Sequence, residues 1–287
     1  MSQLTTLTTL ASLRAELRQL RQQGQTIALV PTMGNLHAGH LRLVEEAKRH
    51  ADKVIATIFV NPLQFGPDED FASYPRTLAD DQAQLASVGC DFLFAPSVDE
   101  VYPHGQQQLT KVCVPQVSEG LCSAKRPGHF DGVATVVTKL FNMVQPDIAC
   151  FGQKDYQQLA VIRKLTEDLS FPIQIIGVPT CRSAEGLALS SRNAYLTEKE
   201  RERAPKLYAT LQAIALKLQE GKLNYHELTY QARAKLAELG FSPEYVEIRA
   251  LDLSPALATT QEWVILAAAR MGKARLIDNL IVKKHQA

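Results

Sequence analysis

The sequence predicts an α/β protein, an open parallel sheet with helices on both faces, followed by a smaller α+β domain. Three observations carry that expectation. Short, near-continuous apolar runs (TIALV at 26–30, VIATIFV at 54–60, DIACF at 147–151) have the length and composition of strands buried on both faces. Between them lie longer stretches whose apolar residues recur at three- and four-residue spacing, the pattern of amphipathic helices. Two of the runs lead through a glycine-bearing turn straight into such a helix, the junction from which parallel βαβ units are built.

Taken in order, Leu10, Leu13, Leu17 and Leu20 repeat at helical spacing among Arg and Gln and predict a helix ahead of the first buried strand. After the strand at 26–30, a turn containing Pro31 and Gly34 precedes the apolar positions Leu41, Val44 and Ala47 of a second helix. The arrangement aims backbone N–H groups and the positive end of a helix dipole at the mouth of the turn. Gly34 and Gly39 have the spacing of a phosphate-cradling P-loop, but His40-Leu41 stands where that motif requires Lys and Ser or Thr. His37 and His40, three residues apart, share one face of the first turn, and Gly39 between them leaves room for a flat group against the backbone. Two imidazole donors at a helix N-terminus suit a phosphate whose charge rises in a transition state. The competing reading is one capping and one packed histidine, and the place of the pair between strand and helix favours the functional one.

The strand at 54–60 ends at Asn61-Pro62, where a polar loop carries Gln64, Phe65, Asp68, Glu69, Asp70, Tyr74 and Arg76. A loop leaving the C-terminal end of a parallel strand is where open α/β sheets bind ligands. Residues 77–88 read as a helix with Asp80 and Asp81 in its first turns, where carboxylates complement the dipole; Asp81 is also the candidate for a magnesium ligand should a phosphate come within reach. Residues 91–95 and 110–114 read as further strands. The cationic turn Lys125 to Phe130 precedes a helix with a full apolar stripe from Val133 to Val144; Arg126 and His129 together suit a carboxylate or phosphate, against a pair of solvated charges.

The strand at 147–151 runs into Gly152-Gln153-Lys154-Asp155, a second strand–glycine–helix junction on the same edge of the sheet, with Lys154 as a point charge for a phosphate. Asp155 and Gln158 match a capping pair, though Gln158 also suits the pocket. Residues 172–178 close the sheet, and the domain boundary falls near Thr180, giving domains 1–179 and 180–287. The loop GLALSSRN (186–193) offers hydroxyl, backbone and guanidinium donors for phosphates. Thr197 and Glu200 form a capping box, Pro205 restarts that helix, and a helix at 225–239 with strands near 245–249, 264–269 and 276–281 completes the second domain.

Composition sets limits. At 287 residues and 46% hydrophobic, the chain buries a full core without staples. A net charge of +1 favours neither nucleic acid nor an acidic membrane as a partner. Five scattered cysteines without CxxC spacing read as reduced cysteines of a cytosolic protein. The longest apolar run, 263–269, is too short to span a bilayer, and the N-terminus lacks the pattern of a signal peptide. These features describe two strand–turn–helix junctions, a polar loop and a hydroxyl-arginine loop suited to one nucleotide, and hence phosphate-ester chemistry on ATP.

The segments PTMGNLHAGH, FVNPLQFGPDED, YPRT, RPGHFDGV, QPDIACFGQKDYQQL and GLALSSRN, in this order and at these separations, resemble the pantoate–β-alanine ligases over essentially the whole chain. The resemblance implies a Rossmann-like doubly wound parallel sheet of the HIGH-type nucleotidyltransferase superfamily, with a smaller C-terminal lid domain. It implies an AMP-forming ligase that joins (R)-pantoate to β-alanine with ATP and Mg²⁺ through a pantoyl adenylate, in a cytoplasmic homodimer. On this resemblance the ATP-binding segment is Met33, Gly34, Asn35, Leu36, His37, Ala38, Gly39 and His40, with His40 as proton donor and His37 on the phosphates. Gly152, Gln153, Lys154, Asp155 and Cys181 join it, as do Leu189, Ser190, Ser191 and Arg192. Gln64 and Gln158 hold pantoate, and Gln64 also meets β-alanine. Asn61, Arg126, His129 and Asp81 fall on pocket positions. Gln153 departs from the Glu of many members and removes a negative charge beside Lys154.

The expected chemistry is in-line attack of a pantoate carboxylate oxygen on the α-phosphorus, with His37, His40, Lys154, Mg²⁺ and the 190–192 loop meeting the developing charge. The β-alanine amine then displaces AMP. Two other classes share the fold: a nucleotidyltransferase that keeps the nucleotide in its product, and a tRNA-binding synthetase-like module. The second would need a basic face, which a charge of +1 does not supply.

Overall fold

The computed structural model describes residues 4–66, 69 and 71–284; Asp68 and Asp70 of the polar loop lie outside the described residues. It divides into two compact units, Met1–Gly152 with Val161–Val178, and Gln153–Ala160 with Pro179–Ala287.

The first unit is built on a six-stranded parallel sheet. Its elements are β1 (Thr5–Leu7), α1 (Leu10–Gln22), β2 (Ile27–Thr32), α2 (Ala38–Ala47), β3 (Lys53–Ile58), α3 (Leu78–Ser87), β4 (Phe92–Phe94), α4 (Val98–Val101), α5 (His129–Val144), β5 (Ile148–Gly152), the part of α6 (Tyr156–Asp168) from Val161 onward, and β6 (Gln174–Val178). The strand order is β1-β4-β3-β2-β5-β6. Chain order reverses between β2 and β5, which pair directly through Ala28↔Ile148 and Leu29↔Ala149. This is the topological switch point at which doubly wound sheets bind ligands. Ile27, Ala28, Leu29 and Val30 are fully buried, which is why β2 reads as an unbroken apolar run rather than an alternating one. Leu13, Leu17 and Leu20 bury one face of α1, and α5 buries Val133, Val136, Val137, Leu140, Phe141 and Val144 along its stripe. Cys90 and Cys150 lie in this core, where burial pushes their thiols up to about 11 and about 12.

Two elements differ from expectation. Residues 110–114 form no strand; the Val112 N–H is taken by the Thr135 hydroxyl at 3.0 Å rather than by a ladder. The edge strand β1 pairs with β4 from Thr5↔Phe92 to Leu7↔Phe94, and at three residues it is too short to show a period in sequence.

The second unit holds α7 (Glu198–Arg203), α8 (Lys206–Gln219) and α9 (Tyr225–Glu238), followed by the antiparallel strands β7 (Ser242–Ala250), β8 (Glu262–Met271) and β9 (Ala274–Lys283) in that order across the sheet. Trp263 is wholly buried at its centre, its indole N–H donating to the Tyr225 hydroxyl at 3.1 Å. Thr197 and Glu200 cap α7 reciprocally, and Pro205 stands at the N-cap of α8. Residues 153–160 group with this unit rather than with the first domain, where the sequence placed them. Asn279 on β9 ties them down by donating to the carbonyls of Gln153 (2.8 Å) and Lys154 (2.9 Å), and Tyr156 Oη donates to the Leu251 carbonyl at 2.8 Å.

Candidate active site

The turn after β2 is a strained and closely held connection. Gly34 (φ +79°) and Asn35 (φ +50°) are both left-handed, and a Cβ on Gly34 would sit 3.0 Å from Ile58 Cγ2 and 3.1 Å from Asp81 Oδ2. The Thr32 hydroxyl accepts the Gly34 N–H at 3.2 Å and donates to the Thr57 carbonyl at 2.7 Å. The chain then enters α2 with His37 as N-cap, in extended conformation. His37 Nδ1 accepts the Gly39 N–H at 3.1 Å, and His40 Nδ1 accepts the His37 N–H at 3.3 Å, a capping box made of two imidazoles in place of Ser and Glu. Because Nδ1 of each ring is an acceptor, each ring is the neutral tautomer that carries its proton on Nε2. The rings lie 4.1 Å apart between centroids, tilted by 32°. The sequence offered capping and function as rivals; the structure commits Nδ1 of each ring to the cap, so that each ring carries its N–H on Nε2.

Gln64 is the hub of the same unit. Its Nε2 lies 2.8 Å from Met33 Sδ in the His-bearing turn, and its Oε1 accepts from Asn61 Nδ2 at 3.2 Å. Its carbonyl accepts from His129 Nδ1 (2.8 Å) and from Arg126 Nη2 (3.3 Å). Arg126 also donates to His129 Nε2 at 3.0 Å and forms a bidentate pair with Glu69, both contacts 2.6 Å. Burial pushes the Glu69 carboxyl up, but the hydrogen bond and charge of Arg126 outweigh it and hold the group below its ordinary value. Arg126 and His129 are therefore not solvated charges; they clasp the polar loop against the start of α5. Asn61 is 1% exposed and faces inward, with its amide engaged by Gln64, the Gly132 carbonyl, the Leu63 N–H and Tyr102 Oη. Asn61, expected at a pocket position, is placed by the structure against the Gln64 side chain, which it holds by a hydrogen bond.

In the second unit Lys154 and Ser190 line one cavity of about 10 Å³, together with Asn193 and Asp278. Leu189 N–H donates to the Cys181 carbonyl at 2.9 Å, and the bridge Arg182↔Ala188 continues that pairing. Ser190 caps the 3-10 turn Ser191–Tyr195, its hydroxyl accepting the Arg192 N–H at 3.3 Å. Asp155 is exposed at the end of the 3-10 turn Gln153–Asp155, and Gln158 lies partly buried in the first turn of α6. Gly152 ends β5.

The donor set does not fit a resident magnesium ion. Among the described residues no group of three or more His, Cys, Asp or Glu side chains is arranged to hold a metal. Asp81, the expected ligand, is 1% exposed and spends both carboxylate oxygens on the turn: Oδ2 accepts Asn35 N–H at 3.0 Å and the Thr77 hydroxyl at 3.2 Å, Oδ1 accepts Leu36 N–H at 2.8 Å. That is the environment of a structural clamp, and the metal assignment is corrected accordingly.

Several residues of these networks escape sequence reasoning. Gly132 lets α5 lie directly on the backbone before Gln64, since a Cβ there would overlap the Leu63 carbonyl oxygen. Tyr102 is 2% exposed beneath Asn61. Arg182 pairs bidentately with the buried Asp278 at 2.6 and 2.8 Å, donates to the Gly186 carbonyl at 3.1 Å and stacks 3.5 Å over the Tyr208 ring. Only glycine inside a helix pattern was a local signal for any of these.

The Pantoate-beta-alanine ligase family model matches residues 5–281 of the chain. The chain is 58% identical to a pantothenate synthetase of Ectopseudomonas mendocina over 281 residues, covering 98% of this chain and 99% of that one. Among solved structures, a pantothenate synthetase from Thermus thermophilus superposes with a TM-score of 0.89 at 46% identity, over 96% of this chain and 98% of that one. A pantoate-beta-alanine ligase from Francisella tularensis, complexed with beta-gamma ATP and beta-alanine, superposes with a TM-score of 0.79 at 36% identity, over 97% of each chain.

Proposed function

The chain belongs to the pantoate–β-alanine ligase family and joins pantoate to β-alanine through an amide bond, and on that premise we propose that ATP drives the reaction in two steps through a pantoyl adenylate. A carboxylate is a poor acyl donor, and adenylation divides one hard step into two easier ones. In the first, a pantoate carboxylate oxygen attacks the α-phosphorus of ATP, forming the acyl–phosphate bond as the bond to pyrophosphate breaks. In the second, the β-alanine amine attacks the acyl carbon, AMP leaves with the C–O bond electrons, and the amine gives up a proton. Magnesium enters as part of the MgATP substrate.

The observation that carries this reading is the His37–His40 pair, whose Nδ1 atoms are both committed to backbone N–H groups. Two Nε2–H donors held at the N-terminus of α2 suit a phosphoryl oxygen whose negative charge grows. Gln64 is assigned to pantoate and Gln158 to its second contact, with Lys154 and the hydroxyls of Ser190 and Ser191 on the nucleotide phosphates. Lys154 acts as a point charge, and the hydroxyls as neutral donors. Cytoplasmic location and a homodimer complete the proposal, and five free cysteines suit a reducing compartment.

The deciding experiment is AMP release from MgATP and pantoate, with and without β-alanine. We expect AMP to rise sharply on adding β-alanine, with pantothenate formed one for one. Pyrophosphate release indifferent to β-alanine, with the nucleotide retained in the product, would overturn the ligase mechanism in favour of nucleotidyl transfer. In the His40→Ala variant the adenylation rate is expected to fall by about two to three orders of magnitude with folding intact, as for loss of one preorganised donor. A folded, fully active His40→Ala chain would remove it from the mechanism.

A further inference from the structure

We propose that Tyr102 and Asn61 form a positioning relay that locks the side-chain amide of Gln64 with its N–H donors toward the substrate, so that this residue accepts only an oxygen acceptor of pantoate. The inference rests on the ligase reading for the identity of the substrate; the lock itself follows from hydrogen-bond polarity.

The orientation of Asn61 is settled by backbone groups that have no choice of role. Leu63 N–H can only donate, and it meets Asn61 Oδ1 at 3.3 Å; the Gly132 carbonyl can only accept, and it meets Asn61 Nδ2 at 3.1 Å. Tyr102 Oη adds a second donor to Oδ1 at 2.8 Å. Tyr102 is 2% exposed and burial pushes its phenol well above the ordinary tyrosine value, so the hydroxyl keeps its proton. With Nδ2 thus committed as a donor, the oxygen it meets at 3.2 Å must be Gln64 Oε1. The remaining end of Gln64, Nε2, lies 2.8 Å from the soft acceptor Met33 Sδ, a contact that a substrate oxygen replaces with a stronger one. A flipped Gln64 would set its oxygen against the Met33 sulfur, acceptor facing acceptor, and its NH₂ group against Asn61 Nδ2, donor facing donor. An amide held in one orientation discriminates between a hydroxyl or carboxylate oxygen and an ammonium, which an unlocked glutamine does not.

The test compares Tyr102→Phe, Gln64→Ala and the double variant. Tyr102→Phe keeps the ring and removes one hydrogen bond, and is expected to raise the KM for pantoate about fivefold while leaving kcat and the KM for ATP unchanged. In the Gln64→Ala background the same substitution is expected to change nothing, because the relay has lost its target. An equal rise in both backgrounds, a rise in the KM for ATP alongside pantoate, or an unchanged pantoate KM in Tyr102→Phe would each overturn the relay. A second variant covers a Tyr102→Phe chain that folds poorly: Asn61→Asp replaces the donor facing Gln64 by an acceptor, and is expected to raise the pantoate KM more than tenfold at neutral pH and to recover as the new carboxyl is protonated in acid. No recovery from a folded Asn61→Asp chain would count against the lock. Calorimetric binding of pantoate reads the same shifts without turnover. A wild-type chain that binds pantoate but makes no pantothenate would therefore sink the ligase reading while the lock stood.

Discussion

Asp81 Oδ1 accepts the backbone N–H of Leu36 at 2.8 Å across 45 residues of sequence, and its Oδ2 accepts the neighbouring Asn35 N–H at 3.0 Å. One buried carboxylate thus fixes the left-handed turn that presents His37 and His40. Asp81→Asn replaces an acceptor oxygen by an NH₂ group facing an N–H, and is expected to destabilise the first unit by about 1–3 kcal/mol. Thermal unfolding reads the loss, and the KM for ATP should rise because the turn is loosened. The clamp also predicts that excess Mg²⁺ fails to restore activity; recovery on raising Mg²⁺ would return Asp81 to the role of metal ligand.

Gly132 touches the site from the opposite side. Its missing Cβ is what allows α5 to rest on the Leu63 carbonyl and the Gln64 backbone. Gly132→Ala would ordinarily favour a helix by about 1 kcal/mol. Here the methyl has to push the loop away, a cost of about 1–3 kcal/mol that reverses the sign. Denaturant unfolding should show net destabilisation, and the pantoate KM should rise more than the ATP KM. A stabilised Gly132→Ala chain would mean that the loop before Gln64 yields freely.

The buried parallel strands, the strand–glycine–helix junctions and the His turn were legible because each is written locally: a run of buried apolar residues, a glycine, two histidines three apart. The supports of that turn were not. Asp81 sits in the first turn of α3, where a carboxylate is adequately explained by the helix dipole, and nothing near it in sequence points to Leu36. Tyr102 and Gly132 meet Asn61 only through tertiary packing. The segment at 110–114 has strand composition, yet strand composition describes a surface that fits a ladder and not the presence of a partner. Residues 153–160 follow a sheet strand directly, and the Asn279 amide on β9 and the Tyr156–Leu251 hydrogen bond show with which unit they pack.

The clasp between Glu69 and Arg126 gives a pH dependence with a definite sign. The folded carboxyl is held below its ordinary value, so the stabilisation is fully present above the unfolded carboxylate value, about 4.3, and is lost as pH falls through the lowered folded value. The comparison that isolates it is wild type against Glu69→Gln. The ratio of their pantoate KM values should stay constant from about pH 8 to about pH 5 and close toward one in stronger acid. A ratio that already collapses near neutrality would show that another group governs the loop.

Arg182 and Asp278 make the corresponding argument for the second unit. Asp278 keeps only 3% of its side chain exposed and Arg182 17%, with contacts of 2.6 and 2.8 Å, so the pair is largely desolvated. Arg182 also holds the Gly186 carbonyl, and through the Arg182↔Ala188 bridge it anchors the base of the loop that carries Ser190 and Ser191. Removing one partner leaves the other buried without its counter-charge, a loss of about 3–5 kcal/mol. Arg182→Met keeps much of the volume over Tyr208 while deleting the charge, and should unfold earlier in denaturant than wild type. Arg182→Met combined with Asp278→Leu removes both charges and should recover most of that stability. Activity separates the two roles. If the pair only stabilises, the double variant regains turnover along with stability; if it also sets the loop, stability returns while the KM for ATP stays high. Because the guanidinium reaches the Gly186 carbonyl, which neither replacement can do, we expect the second outcome.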